Sequence, residues 1–519
     1  MGEDERAHDP GVKWGAVEDL RGWLEYMRAR GLVREVRGAD AYLEVGAITD
    51  LNAKRGKWVL LFDEIGGYDR GFRILTGSLL DAERVGYTLG CASGTDSQLL
   101  VRKLRSRLRR PAATDAVSRA RANGDAPLFR HELRGADVDL SRFPAPQWHE
   151  LDGGRYLGTF DAVVTRDPDT GWVNVGTYRM MLHDSRRVCL FVNASHHARL
   201  HMEKYRRRGE RVPVAVSLGH HPALAALGGM ELPAGVSEYD VLDQLHGGLE
   251  LVRAPVTGLP VPAASEIVLE GYLSSATVAE GPYGEFLGYY AGGTMQTPTL
   301  DVEAVYYRDD PIILGTCAGI PPYDYSYFRC PMRSAMIWDA LEDAGVPNIA
   351  GVWCHEAGYT RALNVVSIDQ AYLGHAQQAG LLAAQVREGA FGGKYTVVVD
   401  DDIDPSNLEQ VMWAVCTRTD PAESIEFIRH SWGMALDPMV VRGAGDRLDA
   451  LPMSRAVINA CRPYQRRALG EFPPAVTVPA EVAARVTGRF PQVLADGAGQ
   501  VAGRRPPGSR PGESGRAEA

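Results

Sequence analysis

The run Trp172-Val173-Asn174-Val175-Gly176-Thr177-Tyr178-Arg179-Met180-Met181-Leu182, followed by Asp184-Ser185 and then Val188-Cys189-Leu190-Phe191-Val192, reads as a β-hairpin: two extended arms joined by turn residues. Further strands are expected at 212–218, 266–273 and 300–307. Short strands at this density, from about 140 to 305, predict a barrel or sandwich rather than a parallel sheet. Upstream, Leu20, Trp23, Leu24 and Met27 recur at helical spacing with Gly31 as a left-handed cap, and 58–62 reads as a buried strand stopped by Gly66-Gly67. These make a small N-terminal α/β unit. The arginines from Arg102 to Arg110 alternate with Leu104 and Leu108 and read as the solvated face of a helix ended by Pro111. Downstream of Pro311, strands at 312–314, 363–368 and 395–399 alternate with helices at 332–344, 376–386 and 408–417, which predicts a mainly parallel sheet.

Composition narrows the function. Fifty-six basic against 66 acidic side chains give a formal charge of −10, which argues against non-specific nucleic-acid binding. Seven scattered cysteines without a C-x-x-C suit reduced thiols in a cytoplasmic protein, not a disulfide framework or a zinc site. The acidic start Met1-Gly2-Glu3-Asp4-Glu5-Arg6 is not a signal peptide, and no apolar run is long enough to predict a membrane span. Gly393-Lys394 lacks the Ser or Thr of a phosphate loop, since Tyr395 follows it. Pro405 stands where a calcium loop built on Asp400, Asp402 and Asp404 needs glycine, so these read as loop and cap aspartates.

Two clusters carry chemistry. Glu280-Gly281-Pro282-Tyr283-Gly284-Glu285 sets two carboxylates five apart on a turn. They are either a pair turned into one pocket, where crowding and burial raise a carboxyl pKa, or two solvated loop acids. The second cluster joins Asn174 and Arg179 to His196-His197 and Gly235-Val236-Ser237-Glu238-Tyr239. Amide, imidazole and carboxylate together suit a hard or borderline divalent ion such as manganese or magnesium. Taken singly, His197 reads as an ordinary histidine and Arg179 as a salt-bridge partner.

Taken jointly, the blocks N-V-G-T-Y-R, G-V-S-E-Y, 261–271, E-G-P-Y-G-E with Gly288-Tyr289-Tyr290, and Asp400-Asp401-Asp402-Ile403-Asp404 resemble the UbiD-like family of reversible (de)carboxylases. The resemblance runs from about residue 12 to 445. It implies a multidomain α+β and α/β fold: an N-terminal α/β unit (12–110), a split β-barrel binding prenylated FMN (111–308) and a C-terminal α/β oligomerisation domain (309–450). An extension (451–489) and a disordered tail (490–519) follow. It further implies that Asn174, His197 and Glu238 hold Mn2+ or Mg2+ against the cofactor phosphate. Val175, Thr177, Tyr178, Arg179, His196 and Lys394 would line the cofactor, and carbonyls around Val175, Leu227, Gly228 and Met230 a potassium ion. Arg179 would grip the substrate carboxylate, oriented by Glu280, and Glu285 would protonate the carbon left after decarboxylation. The expected partners are an aromatic or α,β-unsaturated acid, a separate flavin prenyltransferase and a second copy in a homodimer or larger homo-oligomer, with a role in secondary metabolism. An FMN-dependent redox flavoprotein and a non-catalytic flavin carrier are the alternatives.

One expectation is geometric. In a flat strand Asn174 and Arg179 face opposite sides, because five is odd and side chains alternate with period two. Serving one cofactor requires a bulge or strong twist, placed at Gly176. His196 and Val175 stand where cinnamate-type members have Gln and Trp, so substrate choice does not transfer. The block Thr316-Cys317-Ala318-Gly319-Ile320-Pro321-Pro322-Tyr323 is expected to line the pocket, with Cys317 a packed residue for want of a neighbouring His/Asp pair.

Overall fold

Asp19 starts the first helix, Leu20–Ala29, by accepting the Gly22 N–H at 2.7 Å, and Leu20, Trp23, Leu24 and Met27 form its buried face. Gly31, at φ +70°, follows its end as the spacing predicts. A computed structural model describes residues 19–91, 94, 96–109, 114–122, 124–192, 196–440 and 451–494. The acidic start, Pro111, Ser195 and the tail beyond 494 lie outside the described residues. The chain divides into two compact units, one comprising Met1–Ser93, Ser106–Arg329 and Ala435–Asp449, the other Gly94–Arg105, Cys330–Met434 and Ala450–Ala519.

In the first unit, Val33–Arg37, Val59–Asp63, Arg73–Thr76 and Ile312–Leu314 form a four-stranded sheet in that order. Ile312–Leu314, which the sequence pattern assigns to the C-terminal domain, instead pairs parallel with Arg73–Thr76. A three-residue apolar run carries no sign of its partner.

The same unit holds a nine-stranded sheet curled into a half-barrel. Its order is Tyr156–Gly158, Met180–Leu182, Arg187–Leu190, Met295–Tyr307, Ile267–Glu280, Val212–Leu218, Ala162–Arg166, Val173–Gly176, with His131–Arg134 also beside Met295–Tyr307. Every pairing is antiparallel. The expected hairpin is half right: Met180–Leu182 pairs with Arg187–Leu190, but Val173–Gly176 pairs with Ala162–Arg166. Ile267–Glu280 is also longer than predicted, because the polar Ser274, Ser275 and Thr277 conceal its second half. Glu280 is therefore the last residue of a strand, not part of a turn, and it is buried after a run of exposed neighbours. Three helices interrupt the strand-rich region: His197–Arg208, Pro222–Gly228 and Glu238–His246. The first is mostly basic and the second uniformly apolar, so neither advertises a helical stripe.

In the second unit, Ile349–Cys354, Leu363–Ile368, Tyr395–Asp400, Pro452–Ala460 and Ile425–Trp432 form a five-stranded sheet with parallel pairings at its centre and antiparallel ones at its edges. Pro452–Ala460, read from sequence as the start of an extension, is an inner strand. The aspartates after Tyr395–Asp400 form an ionic hub: Asp402 receives both Arg418 Nη atoms at 2.8 Å, and Asp400 the Arg462 Nε at 3.0 Å. Arg105, on the helix Ser97–Leu108, is not solvated as expected; it pairs with Asp339 at 2.7 Å and with Glu342 at 2.5 Å. Among the described residues, no helix is long and apolar enough to cross a membrane.

Candidate active site

The parity problem between Asn174 and Arg179 is solved by a break, not a bulge. The ladder with Ala162–Arg166 ends at Gly176, residues 177–179 leave the sheet, and Met180 begins a new ladder with other partners. Gly176 is required there: the Tyr178 ring folds back over it, and a Cβ would stand 2.3 Å from the Tyr178 hydroxyl. The freed backbone finds partners outside the ladder. The Thr177 N–H donates to Gly228 O at 3.1 Å and the Tyr178 N–H to Asp161 Oδ1 at 3.0 Å.

Tyr178, two residues beyond the break, lies beside the expected metal set: the His196 ring tilts against its own at 5.2 Å. His197 opens the helix His197–Arg208, edge-on to Trp172 at 4.9 Å. Glu238 opens Glu238–His246 behind its Ser237 cap, and its Oε2 accepts the Val175 N–H at 2.7 Å. Two features fit a cation. Among the described residues the buried Asn174 Nδ2 has no hydrogen-bond partner, and burial pushes the Glu238 carboxyl up to about 8. Among the described residues no cluster of three or more His, Cys, Asp or Glu has metal-holding geometry, but the Asn/His/Glu set contains only two such residues. Of the expected potassium carbonyls, Leu227 O already accepts the Met230 N–H and Gly228 O that of Thr177. Lys394 lies in the second unit, just before the strand Tyr395–Asp400, and its N–H donates to Ala362 O at 3.2 Å.

Arg179, Glu280 and Glu285 come together. The Arg179 guanidinium meets Glu280 in a two-point fork, Nε to Oε1 at 2.9 Å and Nη2 to Oε2 at 3.1 Å, and its Nη1 reaches Glu285 Oε1 at 2.6 Å. The three side chains are 9%, 0% and 5% exposed, so the reading of solvated loop acids is excluded. Phe191 and Tyr283 flank the guanidinium at 4.4 and 4.8 Å. One positive charge faces two carboxyls. Burial raises the Glu285 pKa, Arg179 opposes that, and Glu280 and Asp152 add to it, with a net upward shift. Beside the acid, Gly292 packs closely: a Cβ there would lie 3.0 Å from Glu285 Oε1, 3.6 Å from the Met295 methyl and 3.7 Å from Leu436.

Sequence reasoning missed the segment that holds this loop. Asp152 Oδ1 accepts the Gly284 N–H at 2.9 Å, its Oδ2 accepts the His149 N–H at 2.9 Å, and Gly153 N–H donates to Pro282 O at 2.7 Å. Tyr156 donates its hydroxyl to Glu280 Oε1 at 3.0 Å. The turn signal Asp152-Gly153-Gly154 was there to be read, but a turn does not name what it binds. Asp152→Ala is expected to lower kcat about tenfold by freeing Gly284 next to Glu285, with Asp152→Asn less affected, as steady-state kinetics would measure. A histidine does lie beside Cys317: His149 Nε2 is 3.5 Å from its Sγ and 2.5 Å from Ala318 O. The closer carbonyl takes the imidazole N–H, and burial raises the thiol pKa well above 9, so the pair does not make a nucleophile.

Models of the 3-octaprenyl-4-hydroxybenzoate carboxy-lyase family match nearly the whole described chain: its N-terminal domain at 24–108, Rift-related domain at 119–321 and C-terminal domain at 326–460. The pyrrole-2-carboxylic acid decarboxylase of Pseudomonas aeruginosa is 35% identical over 466 residues, covering 86% of this chain and 92% of the relative. A phenolic acid decarboxylase of Streptomyces sp. (strain D7) is 35% identical over 373 residues, covering 70% and 76%. The UbiD-class enzyme HmfF of Pelotomaculum thermopropionicum, solved in complex with FMN, superposes with a TM-score of 0.77 at 27% identity, over 89% of this chain and 97% of that one. An evolved dimeric form of HmfF, in complex with prenylated FMN, gives 0.74 at 25%, over 89% and 98%. The fold is thus that of the UbiD-family carboxy-lyases. This chain belongs to the UbiD family.

Proposed function

We propose that the protein decarboxylates an aromatic or α,β-unsaturated carboxylic acid without net oxidation, using prenylated FMN. The observation that carries this reading is the Arg179–Glu280–Glu285 cluster, in which one guanidinium is shared by two buried carboxyls. When bound, the cofactor supplies an electron sink for the pair left behind as carbon dioxide departs. Arg179 releases part of its contact with Glu285 to grip the substrate carboxylate, while the fork to Glu280 and the rings of Phe191 and Tyr283 keep its plane fixed. Glu285 holds a proton because burial disfavours its ionised form, and delivers it to the carbon that lost the carboxylate. Met295 and Leu436 set apolar side chains near Gly292, beside Glu285, in keeping with an aromatic substrate. Relatives named for a pyrrole acid and for phenolic acids support aromatic substrates.

Asn174, His197 and Glu238 would hold Mn2+ or Mg2+ for the cofactor phosphate. Both His197 and Glu238 stand at the start of a helix, a place that would favour an anion. Glu238→Ala, or exhaustive chelation, is expected to reduce flavin per protomer at least fivefold while sparing kcat per bound flavin. Absorbance and metal analysis check this. Protein co-expressed with a flavin prenyltransferase should show a modified-flavin spectrum and release carbon dioxide from members of a panel of heteroaromatic, phenolic and acrylic acids. A spectrum of unmodified FMN that bleaches with hydride donors, with no carbon dioxide from any acid, would overturn the proposal.

A further inference from the structure

None of the roles above uses Asp161. Its side chain is fully buried, immediately before the strand Ala162–Arg166, and it reaches across to the break that follows Gly176. Two bonds join it to the residues that precede Arg179. Its Oδ1 accepts the Tyr178 N–H at 3.0 Å, and its backbone carbonyl accepts the Thr177 hydroxyl at 3.0 Å. Among the described residues, the other anchor of the Thr177 and Tyr178 backbone N–H groups is Gly228 O, which takes that of Thr177. Among the described residues the remaining oxygen, Oδ2, has no hydrogen-bond partner; it rests against Gly158, where a Cβ would stand 2.3 Å away, beside the Met180 methyl. An unpaired buried oxygen costs stability, so its retention calls for a compensating role. Burial pushes this carboxyl up to about 8, so at neutral pH it serves as an uncharged acceptor of much the same shape as an amide.

We infer that Asp161 is a positioning residue for decarboxylation: by holding Thr177 and Tyr178 where the ladder is broken, it fixes the point from which Arg179 projects toward Glu280 and Glu285. Regular pairing cannot do this, because the break removes it, and the fork to Glu280 fixes the guanidinium but not the backbone that carries it. The inference rests on the reading of Arg179 as the grip on the substrate carboxylate.

The test uses the flavin-loaded protein and three variants, with kcat, KM, bound flavin and melting temperature measured for each. Asp161→Ala is expected to lower kcat roughly 10- to 100-fold, with flavin occupancy within twofold of the parent, since displacements of about an ångström cost that much in an oriented reaction. Asp161→Asn keeps the acceptor for the Tyr178 N–H and should restore kcat to within about threefold, with a melting temperature at or above the parent's. Arg179→Ala should be inactive. If Arg179→Ala is inactive but Asp161→Ala turns over like the parent, the inference fails and the reading of the site stands. If Asp161→Asn is as slow as Asp161→Ala, the carboxyl acts directly and the positioning role is wrong. If Arg179→Ala is active, the reading of the site itself fails. Should Asp161→Ala not fold, Thr177→Val, which removes only the second bond, decides: a three- to tenfold lower kcat supports the inference and an unchanged kcat overturns it.

Discussion

Glu285→Gln should fold, load flavin as the parent does, and turn over about a thousandfold more slowly. Glutamine reproduces the shape, and its carbonyl oxygen still accepts the Arg179 Nη1 bond that Glu285 Oε1 makes at 2.6 Å. It has no proton to give. A positioned general acid contributes about 10²–10⁴ in rate, so the loss should fall in that range. The pH profile gives an independent check. Because the Glu285 pKa is raised, by burial first and then by Glu280 and Asp152 against the pull of Arg179, its acid form persists above the ordinary carboxyl range. Turnover should therefore hold at lower pH and fall as pH rises through that shifted value. Glu285→Asp, slower because it is shorter, should keep the same alkaline fall. Glu285→Gln retaining more than about a tenth of parental turnover would remove Glu285 from the reaction.

How far the sequence announced all this differs from residue to residue. The first helix was legible because its apolar spacing and Gly31 agree, and the strands Leu363–Ile368 and Tyr395–Asp400 were legible because buried parallel strands are continuous apolar runs. Arg179, Glu280 and Glu285, which come together, were all named from the sequence, and the parity of Asn174 and Arg179 even demanded the irregularity at Gly176. What sequence could not give was its form: a ladder that stops and restarts on different partners depends on Gly228 and Asp161, which lie 51 and 16 residues from Thr177. Asp152 and Tyr156 were missed for the same reason. Each acts at long range, on Gly284 and Glu280, and neither residue type stands out at its position. Arg105 was misread because an alternating charge pattern does not disclose whether acids such as Asp339 and Glu342 wait opposite it.

Arg179→Ala should both abolish turnover and destabilise the first unit, and the two effects can be separated. Removing the guanidinium leaves Glu280 and Glu285 buried with no cation between them, and taking one partner from a buried ionic cluster costs roughly 3–5 kcal/mol. To remain buried the two carboxyls must take up protons that the unfolded chain, with carboxyl values of ~4.3, does not hold at neutral pH. The folded variant then binds more protons than the unfolded one, so its stability is greatest at acidic pH and falls as pH rises toward neutrality. Its melting temperature, measured between pH 5 and 8, should rise on acidification relative to the parent's. Adding Glu280→Gln removes one of the stranded acids and should recover part of the lost stability at neutral pH. It should recover none of the activity, because nothing then grips the substrate carboxylate. A double variant that regains turnover would show that Arg179 serves only to neutralise its neighbours; one that regains stability alone assigns the guanidinium to the substrate.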